Sequence, residues 1–165
     1  MAPLPSSNDS DRLRHIARHL PGVLYEFVRY PDGRMAFPYA SEGLWDLYGL
    51  TPESIRDDAS PMFAAVHPQD LDPLTHAIQA SAEGLTPWCC EYRIYHQDGR
   101  LRWVQSSATP QLEPDASIRW YGCVHDISEQ KKNQVALQQS EHRLRRVIDT
   151  INGLVFVIGS NLTLS

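Results

Sequence analysis

No apolar run in this sequence approaches the roughly 18 residues that a membrane-spanning helix needs. The polar, Pro/Ser-rich start from Met1 to Asp11 has no apolar core of a secretory signal. Basic residues are scarce. Lys and Arg number 15 against 20 Asp and Glu, a formal net charge of −5, which argues against a nucleic-acid-binding face. The three cysteines, Cys89, Cys90 and Cys123, form no CxxC, and the adjacent pair points to opposite faces of a strand. They read as free thiols in a reducing cytoplasm. Neither they nor the seven histidines cluster at zinc-ligand spacing. There is no Gly-rich phosphate loop and no GxSxG. Glu91, Asp98 and His125 could be imagined as acid–base groups, but nothing sets them beside a nucleophile, so no intrinsic catalysis is expected.

What is present is enough apolar residue, 42%, for a packed core. Residues 1–10 read as a lead-in. Leu13, Ile16, Ala17 and Leu20 fall at helical spacing over 11–20, and Pro21-Gly22 stops that helix. Val23–Tyr30 and Met35–Ala40 read as strands around the turn Pro31-Asp32-Gly33, with Pro38 marking an edge or a bulge. From Ser41 to Gly84 the pattern is helical and broken. It gives a short piece at Gly43–Gly49, another opened by Thr51-Pro52, a third over Pro61–Val66, and one long helix over Pro68–Ala82 with the stripe Leu71, Leu74, Ile78. Trp88–Tyr95 and Leu101–Thr109 flank the hairpin turn Gln97–Arg100. After a loop over Pro110–Ala116, Ser117–His125 is the last strand. Two strand runs around a helical segment imply an α+β domain over 21–127: a five-stranded antiparallel sheet with short helices on one face.

The last strand runs without slack into a helix. Asp126 is placed to cap it and Glu129 to complete a capping box. With no Pro or Gly before Gly153, the helical pattern runs from Asp126 to Asn152, about 27 residues or roughly 40 Å, with the connector helix itself over 128–152. Leu137, Leu144 and Ile151 recur every seven residues and Val147 takes the second seam position, while Ser140 and Asn133 interrupt it. The helix is either a short coiled-coil seam between two copies of the chain or an amphipathic helix lying on its own domain. Beyond it, Leu144, Val147, Ile151, Gly153 and Phe156 repeat Leu13, Ile16, Leu20, Gly22 and Tyr25 at a constant offset of 131 residues. On that pattern Val155–Ile158 is the first strand of a second, truncated copy over 153–165, and the chain is a piece of a longer protein.

A set of motifs spans about residues 20–130: Tyr39–Gly43, Leu47-Tyr48-Gly49, Val66-His67-Pro68-Gln69-Asp70, Glu91–Ile94, Asp98-Gly99, Arg102-Trp103-Val104 and Gly122–Glu129. In order and spacing it resembles PAS sensor domains with the PAC-type C-terminal half. The helix and repeat at the end look like the linker between tandem PAS domains of bacterial signalling proteins. The resemblance implies a module that senses a small ligand, a cofactor or a partner, dimerises, and controls a downstream output domain, often a histidine kinase or a diguanylate cyclase. Neither a kinase core nor a GGDEF-type signature is in this sequence.

Some members of that family hold haem through a histidine on the long helix. Here the only candidate, His76, lies nearly opposite the Leu71/Leu74/Ile78 stripe and should face solvent. His67 fits a corner or cap role. A photoactive flavin would need a cysteine in an Asn-Cys-Arg-type helix, and all three cysteines fall on strands. Haem and photoactive flavin are therefore not expected. The residues placed to line the space between helices and sheet are Tyr25, Phe27, Phe37, Tyr39, Leu44, Trp45, Tyr48, Phe63, Leu74, Ile78 and one face of the last three strands. They form either plain core or a small-molecule cavity in which the tyrosine hydroxyls meet a ligand. Trp88, Cys90, Tyr92 and Ile94 form one set, but Trp103 and Val104 put apolar groups on both faces of the partner strand. The second face should then be covered too, by residues 11–20 or a second subunit. Asp126 and Ile127 are the expected relay into the connector helix, with a purely structural cap as the alternative reading of Asp126.

Overall fold

The computed structural model describes residues 22–162. The helix expected over 11–20 lies outside the described residues. The elements run β1 (Val23–Arg29), β2 (Met35–Ala40), α1 (Gly43–Tyr48), α2 (Pro52–Ile55), α3 (Ser60–Ala64), α4 (Pro68–Gly84), β3 (Trp88–Tyr95), β4 (Leu101–Leu112), β5 (Ile118–Asp126) and α5 (Ser128–Leu162). The five strands form one antiparallel sheet in the order β2-β1-β5-β4-β3. The last strand therefore lies at its centre. The chain divides into two compact units at Ile127/Ser128.

Local chemistry sets the breaks. Gly49 ends α1 in the left-handed region, φ 75°, and its N–H closes on the Trp45 carbonyl, a conformation that costs a residue with a Cβ about 1 kcal/mol or more. Pro52 starts α2 as expected, but Thr51 makes no side-chain cap bond; Ser54 Oγ donates to the Thr51 carbonyl instead, at 2.7 Å. His67 caps α4, its Nδ1 accepting from the Gln69 N–H. Asp70 then takes three hydrogen bonds from Arg93 of β3, from its backbone N–H, Nε and Nη2, at 2.6–2.8 Å. These bonds hold the Asp70 carboxyl below the usual carboxylate range. The motif Val66–Asp70 thus pins the long helix to the sheet.

Two expectations are corrected here. β4 continues through Pro110 to Leu112, where a loop was expected. β3 reaches only as far as Ala108, so Pro110 sits where one side of β4 is an edge and its missing N–H costs no ladder bond. Second, α5 runs on through Gly153 to Leu162, so Val155–Ile158 is helical where a strand was expected. A strand at that point would leave its backbone groups without a ladder, whereas a helix satisfies them internally.

Val23, Tyr25, Phe27, Val104, Ala108, Trp120 and Val124 of the sheet and Leu44, Ile55, Leu74 and Ile78 of the helices form the core between the layers. Trp120 is wholly buried at its centre. Its indole N–H donates to Ser81 Oγ of α4 at 2.9 Å, and that hydroxyl donates on to the Thr86 carbonyl.

Candidate functional site: an enclosed aromatic cavity

A small cavity of about 30 Å³ lies between α1, α3, α4 and the sheet. Seven of the ten side chains expected there surround it: Tyr25, Phe27, Phe37, Tyr48, Phe63, Leu74 and Ile78. Tyr39 and Trp45 do not. Between Glu26 and Val28 of β1 stands only Phe27, while the matching stretch of β2 holds both Phe37 and Pro38. That bulge at Pro38 shifts the register by one, so Tyr39 pairs with Glu26 and turns to the opposite face. Trp45 is 57% exposed. At 100° per residue from Leu44, the buried Leu47 and Tyr48 lie at about −60° and +40°, and Trp45 at about +100°, past the edge of the stripe. Leu44 itself is buried in the core rather than at the cavity.

Sequence reasoning did not single out Met62, Val66, Ser106 or Val124, which also line the cavity, nor which set of β3 residues faces it. Trp88 and Tyr92 do, with Tyr92 opposite Val104. The faces become legible only through the pairing, which sets Val104 and Ser106 inward and Trp103 outward.

The polar groups of the cavity form one run of hydroxyls. Tyr25 Oη and Ser106 Oγ are 2.8 Å apart, Ser106 is also a hydrogen-bond partner of Tyr92, and Tyr92 Oη lies a long 3.4 Å from Tyr48 Oη. Gly122 makes this possible. It sits opposite Tyr25 in the β1–β5 pair, and a Cβ there would come within 2.6 Å of the Tyr25 hydroxyl and ring. Burial raises all three tyrosine hydroxyls above their ordinary range, so at neutral pH they are neutral donors and acceptors. Trp88 Nε1 is buried with no hydrogen-bond partner. The lining carries no carboxylate, guanidinium, ammonium, imidazole or thiol among the described residues. It therefore offers neither a histidine to haem iron nor a cysteine to a flavin. His76 is exposed, its Nδ1 2.7 Å from the Asp72 carbonyl oxygen. Among the described residues no three His, Cys, Asp or Glu side chains gather as a metal site.

At the exit of the sheet, Asp126 is the last residue of β5, paired with Val104. Ile127 is 2% exposed and its N–H donates to the Trp103 carbonyl at 2.8 Å. The strand ends at Asp126 and the helix begins at Ser128. The Asp126 carboxylate lies 3.7 Å from Arg102 Nη1, which also donates to the Asp46 carbonyl of α1 at 2.8 Å. Arg102, given no role by sequence reasoning, thus stands between α1 and the end of β5. In α5 the seam residues Leu137, Leu144, Val147 and Ile151 are all exposed.

A family model described as PAS fold matches residues 37–125, more than half of the sequence, and the chain belongs to that family. It is 31% identical over 118 residues to the uncharacterized protein y4lL of Sinorhizobium fredii, a match covering 71% of this chain and 14% of that protein. It is 28% identical over 116 residues to the probable diguanylate cyclase DgcE of Escherichia coli, covering 70% of this chain and 10% of that protein. The chain thus corresponds to about one seventh or less of either relative's length. In structure it is similar to a sensory box histidine kinase/response regulator from Burkholderia thailandensis, with a TM-score of 0.56, 24% identity, and coverage of 74% of this chain and 91% of that one. The chain is thus a PAS-fold domain, and signalling proteins are among those it is similar to. No helix among the described residues is long and apolar enough to cross a membrane.

Proposed function

We propose that this domain is the cytoplasmic sensory input of a larger signalling protein. It takes a small molecule into the cavity between helices and sheet and passes its state through Asp126 and Ile127 to the helix that follows. The observation that carries the reading is the buried hydroxyl run Tyr25–Ser106–Tyr92–Tyr48. Plain core would be expected to hold phenylalanine there, since each buried hydroxyl adds a desolvation cost that a partner must offset. A ligand that favours one arrangement of α1 would bias Arg102, and with it the end of β5, by population shift. The output domain is a kinase or a diguanylate cyclase by likeness to the relatives, and the seam Leu137/Leu144/Val147/Ile151 joins two copies of the chain.

The small volume of about 30 Å³ favours a second reading, a ligand-free scaffold for dimerisation or docking. Such a volume suits about two waters, not a metabolite. Native mass spectrometry of the purified chain separates the two. A stoichiometric added mass that disappears on denaturation supports sensing, and the bare polypeptide mass from several expression hosts supports the scaffold. In the parent protein, Asp126→Ala should lower stability only modestly and uncouple the output. Intact output with reduced stability would end the relay idea.

A further inference from the structure

The small cavity has a neighbour. A surface cleft of about 620 Å³ is bordered by the β1–β2 turn at Arg34, the loop at Asp58–Ser60, and α4 from Leu71 to Ile78. Phe63 and Ile78 line both the cleft and the cavity. The wall between them is one side chain thick. On its other side the cavity is closed by β1, β3, β4 and β5, whose displacement would break paired ladder bonds. We propose that Phe63 is a gate through which the cavity is loaded from this cleft, and that the molecule it admits is small, uncharged and largely aromatic, with one hydrogen-bond acceptor. This rests on the ligand-binding reading above and adds to it a route and a chemical class.

Of the two wall residues, Phe63 is the one free to move. It belongs to the five-residue α3, which has no side-chain cap bond. It is half-buried, and its ring contact is edge-on to Phe27 at 6.0 Å. Phe27 itself packs closer to Phe37, at 4.8 Å, and to Trp120, at 5.2 Å. Ile78 is buried within the 17-residue α4, and its branched Cβ leaves it one strongly preferred rotamer in a helix. A rotation of Phe63 joins cavity to cleft and supplies the room that the small cavity lacks.

The class follows from the lining. An ionised ligand would be desolvated against neutral hydroxyls and rings with no counter-charge. The cleft disfavours anions as well, because Asp57, Asp58 and Asp72 border it and its Arg34 is already held by Asp32 at 2.7 Å. Among the described residues the one buried side-chain nitrogen or oxygen with no hydrogen-bond partner is Trp88 Nε1, of a residue that lines the cavity, and that donor calls for a carbonyl or ether oxygen.

Acetophenone is a suitable probe, with benzoate as its charged counterpart and cumene as the one without an acceptor. The four tryptophans give four indole N–H signals in a nitrogen–proton correlation spectrum. Acetophenone should move the Trp88 signal downfield and bind with a Kd on the order of a millimolar. Benzoate should not bind measurably. Trp88→Phe should weaken acetophenone about tenfold and leave cumene unchanged. Phe63→Ala should speed exchange of acetophenone about tenfold or more, and Phe63→Trp should slow it, with Phe63→Leu as the milder variant if Phe63→Ala does not fold. Equal exchange rates across the Phe63 series, with acetophenone still bound, would refute the gate alone. Benzoate binding as tightly as acetophenone would refute the class alone. No binding of acetophenone or cumene to the wild-type chain or to either small Phe63 variant would overturn the cavity as a ligand site, and the gate and class with it.

Discussion

In the domain that ends at Ile127, most large apolar side chains are put away, with Trp45, Leu85, Leu101, Leu112 and Tyr121 among the exceptions. Trp120, Leu44, Ile55 and Ile94 are fully enclosed, and a single hydroxyl of α4 meets the Trp120 indole. In α5 the reverse holds. Val135, Leu137, Leu144, Val147, Ile148, Ile151, Leu154, Val155 and Phe156 are each 51–78% exposed. The first unit carries its own stabilising burial. The second has the length of a stable helix but no packed face of its own, and tertiary or intermolecular packing is what most helical stability rests on. Its apolar stripe widens toward the far end, past the polar Asn133 and Ser140, so pairing between copies would be tightest away from the sheet.

The contrast can be broken most forcefully at its buried pole. Trp120→Ala removes the centre of the core and leaves Ser81 without its donor; we expect a loss of about 3–5 kcal/mol in urea unfolding. A loss below about 1 kcal/mol would mean that the core is not what holds the domain. Next comes Arg93→Ala, which strips Asp70 of its two side-chain bonds, leaves the one from the backbone N–H, and should cost about 2 kcal/mol. The pH dependence has a definite sign. Because Asp70 titrates lower in the folded state than in the unfolded one, its contribution is fully present above the unfolded carboxylate range, about pH 4, and is lost as pH falls through the depressed folded value. Arg93→Ala should therefore flatten the acid limb of the stability curve, and an unchanged limb would remove Asp70 from that account.

The other two tests concern exposed side chains. Leu144→Asp should leave the unfolding of the domain within about 0.5 kcal/mol of wild type while lowering self-association about tenfold or more in sedimentation equilibrium. Association unchanged by the substitution would assign the dimer, if one forms, to another surface. Trp45→Ala is expected to do least, within about 0.5 kcal/mol, even though it removes the same residue type as Trp120. A cost near that of Trp120 would contradict its exposure.

The strand and helix order was readable because turns and caps announce themselves: Asp32-Gly33, Gly49, Pro52, Pro68 and Asp98-Gly99 all sit at element ends. Most of the cavity was readable too, since Tyr25, Phe27, Leu74 and Ile78 follow simple periods from such anchors. What escaped depends on the third dimension. Tyr39 was misplaced by a one-residue bulge that Pro38 hints at without locating. Ser106 looks like any strand serine until Tyr25 is known to reach across the gap left by Gly122. Val155–Ile158 reads equally as strand or helix when only apolarity is counted.

The placement of β5 at the middle of the sheet has a consequence for how the molecule is made. β1 and β2 can pair as soon as they emerge, and so can β3 and β4, because each pair is joined locally. The two hairpins cannot become one sheet until the chain has been synthesised through Asp126, since β1 and β4 have only β5 between them and β1 waits about a hundred residues for its second partner. Until then each hairpin presents an open edge strand of the kind that recruits other chains. A chain cut between Leu112 and Ile118 should accordingly give two unmatched hairpins and aggregate, not a smaller version of the domain. The step that completes the sheet comes two residues before Ser128, the start of the following helix, so folding of the domain and emergence of that helix are ordered in time by the same strand.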